Sequence, residues 1–173
     1  MADPPPSDSH KTCFNPVVDG RTRLLILGSL PGEESLRAGQ YYANPRNQFW
    51  RLLGDVMEIP LADLSYSDRL STCLDQGVGL WDTVAQAHRK GSLDARIQLE
   101  RSSDLEALGN ALPSLYALAF NGTTAARIGR QAVASDRWIL LDLPSSSPAY
   151  PLAYGLKLER WMMLRKFLHR YDV

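Results

Sequence analysis

Four short stretches of the chain are apolar almost without interruption: residues 23–28, 78–82, 115–120 and 138–143. A strand with one face in water alternates apolar and polar side chains, whereas a strand covered on both faces does not. These four stretches therefore read as buried strands of a parallel sheet. Between them the spacing changes. Over residues 45–57 the apolar side chains Phe49, Leu52, Leu53 and Val56 recur at the interval of one helix face. Asn44 followed by Pro45 suits an N-cap and a first helical position, so a helix is predicted from residue 45 with Asn47 in its first turn. Further helices are predicted over about 103–112, 123–133 and 156–169. In the last, Leu158, Trp161, Met162, Leu164 and Leu168 face inward. Strands alternating with helices imply an α/β sandwich.

The breaks after the four strands are unusual in the same way. The first strand runs into Gly28-Ser29-Leu30-Pro31-Gly32, the second ends on Trp81-Asp82, the third on Asn121-Gly122, and the fourth runs into Pro144-Ser145-Ser146-Ser147-Pro148. In open parallel sheets ligands bind in the crevice beyond the carboxyl ends of the strands, so a site built from these four loops is expected. Gly28 and Gly32 permit close backbone approach, and free N–H groups there suit an oxygen-rich ligand. The loop is neither GxxxxGK[ST] nor GxGxxG, which argues against a nucleotide-phosphate cradle. Tyr41 and Tyr42 follow, with Asn47 just after. A flat base stacked on such a ring gains about 1–3 kcal/mol.

Composition narrows the class without choosing the chemistry. With 173 residues, 45% hydrophobic and 22% charged, the chain fits one globular domain. The polar, Pro- and Ser-rich start predicts a disordered tail over residues 1–12, leaving 13–173 as the domain. Formal net charge is zero, so any nucleic-acid contact rests on local groups of cations. Two such groups stand out: Lys157, Arg160, Arg165, Lys166 and Arg170 around Glu159, and Arg89, Lys90 and Arg96. Each reads individually as a solvated face. Cys13 and Cys73 form no CxxC and supply too few ligands for a metal site, so reduced thiols in an intracellular protein are expected. His10 falls in the tail, and His88 and His169 near basic helix ends. No apolar run approaches the roughly 20 residues of a membrane span.

The blocks GSLPG, YYANPRNQFW and LPSSSPA resemble the signature blocks of the uracil-DNA glycosylase superfamily, in its hypoxanthine-DNA glycosylase branch. The resemblance runs from residue 23 to the end of the chain. It implies a three-layer α/β/α sandwich around a four-stranded parallel sheet in the order 2-1-3-4. It also implies hydrolysis of the N-glycosidic bond of a flipped deaminated base, hypoxanthine first, leaving an abasic site in base excision repair. The partner is double-stranded DNA, with single-stranded DNA a further form, and the enzyme is a cytoplasmic monomer with no membrane, metal or cofactor. The motif blocks contain no lysine, which argues against Schiff-base chemistry and so for a monofunctional enzyme.

The resemblance also assigns residues. Superfamily members usually carry Asp or Asn where Leu30 stands, and Leu30 cannot hold a water. In the branch resembled here an Asn after the tyrosine pair takes over, which makes Asn47 the catalytic candidate. Ser29, Leu30, Pro31 and Gly32 line the base pocket, with Tyr42 or Tyr41 as the stacking ring. Asp82 stands where an Asn reads the base edge. An ionised Asp only accepts hydrogen bonds, so it would take the N1–H of hypoxanthine but repel O6. Asn121 either reads the base or braces a loop. Ser145, Ser146 and Ser147 are expected at phosphates, and Ala149 or Tyr150 at the hole left by the flipped nucleotide. The blander roles stay open: a backbone partner for Asn47, and a helix cap or ion pair for Asp82. So do two other functions, a uracil or G:T and G:U mismatch glycosylase and a non-catalytic DNA-binding module.

Overall fold

The computed structural model describes residues 10–89 and 91–169. In chain order the elements are β1 (His10–Thr12), β2 (Leu24–Gly28), α1 (Glu33–Ala38), α2 (Phe49–Met57), α3 (Tyr66–Asp75), β3 (Val78–Asp82), β4 (Val84–His88), β5 (Gln98–Ser102), α4 (Leu105–Ala111), β6 (Ala117–Asn121), α5 (Thr123–Ala132), β7 (Ile139–Leu143) and α6 (Tyr154–Trp161). Strands β3-β2-β6-β7 make an all-parallel sheet. Numbered as the four predicted strands, this is the order 2-1-3-4.

The pleat sorts the sheet's side chains into two cores. Leu24 and Ile26 of β2, Val78 and Leu80 of β3, and Ala117 and Ala119 of β6 pack under α2, α3 and α6. Leu25, Leu27, Leu118 and Phe120 point the other way, against α4 and α5. This is the three-layer sandwich, and Phe49, Leu52, Leu53 and Val56 of the predicted stripe are all fully buried in it. The edge strand β7 departs from the expectation of double cover, since Ile139 is exposed.

Three local expectations change. Helix α2 begins at Phe49, not Pro45. Asn44 O accepts from Asn47 N at 2.9 Å, and Asn44 Oδ1 from Arg46 N at 2.9 Å, so Asn44-Pro45 opens a turn rather than a helix. The final predicted helix keeps α-geometry only to Trp161 and tightens into a 3-10 turn over Met162–Phe167. Most consequential is a second, antiparallel sheet in the order β1-β4-β5. Its first strand lies inside the predicted tail: His10, Lys11 and Thr12 pair with His88, Ala87 and Gln86. The rest of that tail, residues 1–9, lies outside the described residues. Among the described residues no helix is long and apolar enough to cross a membrane.

Candidate active site

The carboxyl ends of the parallel strands open on one cleft of about 680 Å³. Its lining includes residues from each of the four loops singled out by the sequence.

The first loop is held from behind. Gly28 O and Ser29 O accept from Thr83 N and Val84 N at 2.7 and 2.9 Å. Leu30 O accepts from Arg89 Nη1 at 3.4 Å, and Pro31 O accepts from Arg89 Nη2. Arg89 Nε also donates to Gly91 O at 2.9 Å, and the side chain is buried. The expectation of a solvated Arg89 is therefore corrected: its planar fork is spent on carbonyls. With these carbonyls engaged, the N–H groups of Leu30 and Gly32 have no acceptor among the described residues. Leu30 lends the cleft its backbone alone, because its side chain packs on Val84, Ala87 and Ile128. Ser29 Oγ donates to Asp94 Oδ1 at 2.7 Å.

The two tyrosines both line the cleft but make different contacts. Tyr41 is buried, donates to Asn15 O at 2.9 Å and meets Phe14 edge-on. Tyr42 sits at φ +53°, an uncommon backbone state for a non-glycine residue, which swings its ring onto Phe49. The two rings stack at 3.7 Å and 8°. The Tyr42 hydroxyl lies 3.4 Å from Asn121 Nδ2.

Asn47 stands just before α2. Its Oδ1 accepts from Phe49 N at 3.0 Å, which fixes the amide so that Nδ2 is the other end. Asn47 thus fills the backbone-partner role and lines the cleft as well.

Asp82 ends β3, opposite Gly28 in the register. It is 4% exposed, and its Oδ2 has no hydrogen-bond partner among the described residues. It is neither a helix cap nor an ion-paired carboxylate, since the carboxylate nearest Arg89 is Asp94, at 3.8 Å. Burial pushes the Asp82 carboxyl up to about 7, the Asp94 charge adds to the rise, and Arg89 opposes it. A Cβ on Gly28 would come within 2.7 Å of Asp82 Oδ1 and 3.0 Å of the Tyr42 hydroxyl, so glycine is what lets these two groups converge.

Asn121 is a brace. Its Nδ2 donates to Ser146 Oγ and its Oδ1 accepts from Ser146 N, both at 2.9 Å. Ser146 is buried by this arrangement, which corrects the expectation that its hydroxyl meets phosphate. Ser145 Oγ and Ser147 Oγ accept from Ser147 N and Ala149 N at 3.1 and 3.2 Å, leaving their O–H groups as donors. Ala149 and Tyr150 are exposed at the cleft. From α6, Trp161 Nε1 donates to Pro144 O at 3.0 Å and Lys157 Nζ to Ser147 O at 3.3 Å. Lys157 is buried, another correction to the solvated basic face; Arg165 bonds Val56 O and Glu58, while Arg160 and Lys166 are exposed. Lys90 and Arg170 lie outside the described residues.

The superfamily profile described as "Uracil DNA glycosylase superfamily" matches residues 16–169 of this chain. The chain belongs to the uracil DNA glycosylase superfamily. A protein of Methanosarcina acetivorans named hypoxanthine DNA glycosylase is 43% identical over 115 residues, 66% of this chain and 73% of its own length. A Methanosarcina barkeri protein of the same name is 41% identical over 112 residues, covering 65% and 71%. A solution NMR structure of a Methanosarcina acetivorans protein described as a uracil DNA glycosylase superposes with a TM-score of 0.82 at 36% identity, covering 91% of this chain and 98% of the other. As a superfamily member the chain is a DNA glycosylase, hydrolysing the bond between a base and deoxyribose, and DNA is its partner.

For a superfamily glycosylase, the cleft holds two features that sequence reasoning missed. One is the segment with Ser92 and Asp94, which reaches the cleft because β4 and β5 form a sheet behind the first loop. Gly91-Ser92 before Asp94 is the turn signal that would have pointed to it. The other is the pair of cations at the cleft, Arg37 and Arg46.

Proposed function

We propose that this chain is a monofunctional glycosylase that removes hypoxanthine from DNA. The observation that carries the reading is the convergence of Tyr42, Asn47 and Asp82 on one cleft. The names of the two Methanosarcina relatives support the choice of base. Selection among bases falls to the groups that line the cleft. The base stacks on Tyr42, whose opposite face is covered by Phe49. The second lone pair of Asn47 Oδ1 accepts from a water and aims it at C1′ of the sugar. A neutral amide is a weak base, but an oxocarbenium-like transition state needs an oriented water more than a deprotonated one. The hydroxyls of Ser145 and Ser147 donate to backbone phosphates, with Arg37 and Arg46 supplying charge. Tyr150 occupies the space the base vacates. The enzyme acts as a monomer in the cytoplasm on double-stranded DNA, and on single-stranded DNA as well.

The test is release of free base from duplexes carrying hypoxanthine, uracil, a G:T mismatch or no lesion, with abasic sites revealed by alkali. Hypoxanthine release by wild type, reduced about 100-fold or more in Asn47→Ala with DNA binding intact, supports the reading. Release of uracil or thymine but not hypoxanthine transfers the assignment to that base. Binding without release of any base removes it.

A further inference from the structure

The Asp82 carboxyl presents an anomaly that the reaction does not resolve. It is 4% exposed, and among the described residues one of its oxygens has no partner and no guanidinium or ammonium is paired with it. Arg89, whose charge does bear on it, is held by the carbonyls of Leu30, Pro31 and Gly91. A second carboxyl, Asp94, faces the same cleft. An isolated carboxylate in such surroundings is strongly disfavoured, and the group escapes by keeping its proton.

We propose that Asp82 works as a neutral carboxylic acid, donating its O–H to the carbonyl oxygen of the flipped base while its other oxygen accepts the adjacent ring N–H. This rests on the reading above and adds what the site selects: the lactam edge of an oxopurine, an N–H beside a C=O. The ionised form has two acceptors and no donor. It would match the paired N–H groups on the edge of guanine, a normal DNA base, and would repel the oxygen of hypoxanthine. Protonation therefore replaces a surface matched to guanine's paired N–H groups with one matched to the N1–H and O6 edge that hypoxanthine presents and guanine shares. It also assists departure, since negative charge moving onto the leaving base strengthens the bond from Asp82 to its oxygen.

The groups that bear on this proton come from every side. Asp94 lies across the cleft and Arg89 behind the first loop, Tyr41 and Tyr42 approach from the segment before α2, and Cys13 from the end of β1. Asp94 raises the carboxyl's affinity for its proton and Arg89 lowers it, with burial the largest influence; the net midpoint is about 7.

Two measurements test the proposal: single-turnover release of hypoxanthine between pH 5.5 and 9, and titration of the Asp82 side-chain carbon by 13C NMR in the free protein. Wild-type release should fall about tenfold per pH unit above the midpoint. Asp82→Ala should lose release at least about 100-fold at pH 6, and Asp82→Asn, which keeps one donor and one acceptor, should restore it without the fall at high pH. A flat wild-type profile, an Asn variant as inactive as the Ala variant, or the same fall with pH in wild type and Asp82→Asn overturns the proposal. If wild type releases no hypoxanthine at any pH, the functional reading fails by itself, and the NMR titration decides the Asp82 assignment. A carboxyl still protonated at pH 6 upholds the neutral acid; one ionised at pH 6 overturns it.

Discussion

Asn121 grips Ser146 with both ends of its amide, donating to the hydroxyl and accepting from the backbone N–H, each at 2.9 Å. One side chain from the end of β6 thereby sets the position of the serine loop after β7. Asn121→Ala strands the buried Ser146 N–H, and leaving a buried group unpaired costs about 1–3 kcal/mol. Chemical denaturation should show that loss, and weaker DNA binding should accompany it because Ser145 and Ser147 flank the released residue. Asn121→Asp should keep the bond from Ser146 N and reverse the other, with the Ser146 hydroxyl donating to the carboxylate, so it should cost less than Asn121→Ala.

The Tyr42 ring is held between Phe49 and the cleft. Tyr42→Ala should weaken binding of lesion-bearing DNA by about 1–3 kcal/mol, the usual value of one base–aromatic stack. Tyr42→Phe should lose little, since among the described residues the hydroxyl makes only the 3.4 Å contact with Asn121. Titrating fluorescently labelled duplex with each variant checks both.

Gly28→Ala places a methyl group 2.7 Å from Asp82 Oδ1 and 3.0 Å from the Tyr42 hydroxyl. Overpacking of this kind costs about 1–3 kcal/mol. Because the displaced groups belong to the two residues proposed to hold the base, activity should fall further than stability. Thermal unfolding compared with single-turnover rates separates the two losses.

Asp82 binds its proton more tightly in the folded chain, at about 7, than at its ordinary 3.8. Folding therefore takes up a proton between those values, and stability drains away as pH rises through that window. Relative to Asp82→Asn, wild type should be most stable below about pH 4, decline to about pH 7, and level off above it. The total is on the order of a few kcal/mol. Urea unfolding of both proteins at pH 4, 5.5, 7 and 8.5 checks the direction.

Arg89→Met keeps much of the apolar stem and removes every bond to Leu30 O, Pro31 O and Gly91 O. Stranding a buried carbonyl costs about 1–3 kcal/mol. Hydrogen exchange should rise first at Thr83 and Val84, whose amides hold the same loop, before it rises in the parallel sheet.

How much of this was readable beforehand follows from which forces act locally. Residues 24–27 of β2 are buried on both faces, and a run such as LLIL records that directly. The small sheet left no such trace: β1 has three residues, and Gln98–Glu100 and Arg101 of β5 are exposed. Asn44-Pro45 was ambiguous because the same pair opens a turn or a helix, and only the bond from Asn47 N to Asn44 O decides. Tyr41 and Tyr42 are chemically alike, and nothing in the string says that Tyr42 takes a left-handed backbone and stacks on Phe49 while Tyr41 bonds Asn15 O. Arg89 and Lys157 looked like surface cations because nothing in a linear string reveals the carbonyls that surround them. The motif blocks located the cleft residues through resemblance, but the unpartnered state of Asp82 emerged only from the packing around it.

The pairing of His10–Thr12 with β4 has a practical side. A chain trimmed back to Cys13, as the polar N-terminus invites, would bare the backbone edge of β4. That strand leads directly into Arg89. The trimmed protein would gain an open edge inviting intermolecular strand pairing, a common route to aggregation, while losing the support behind its own first loop. Low solubility and low activity would then arrive together, and neither would reflect the chemistry of the cleft.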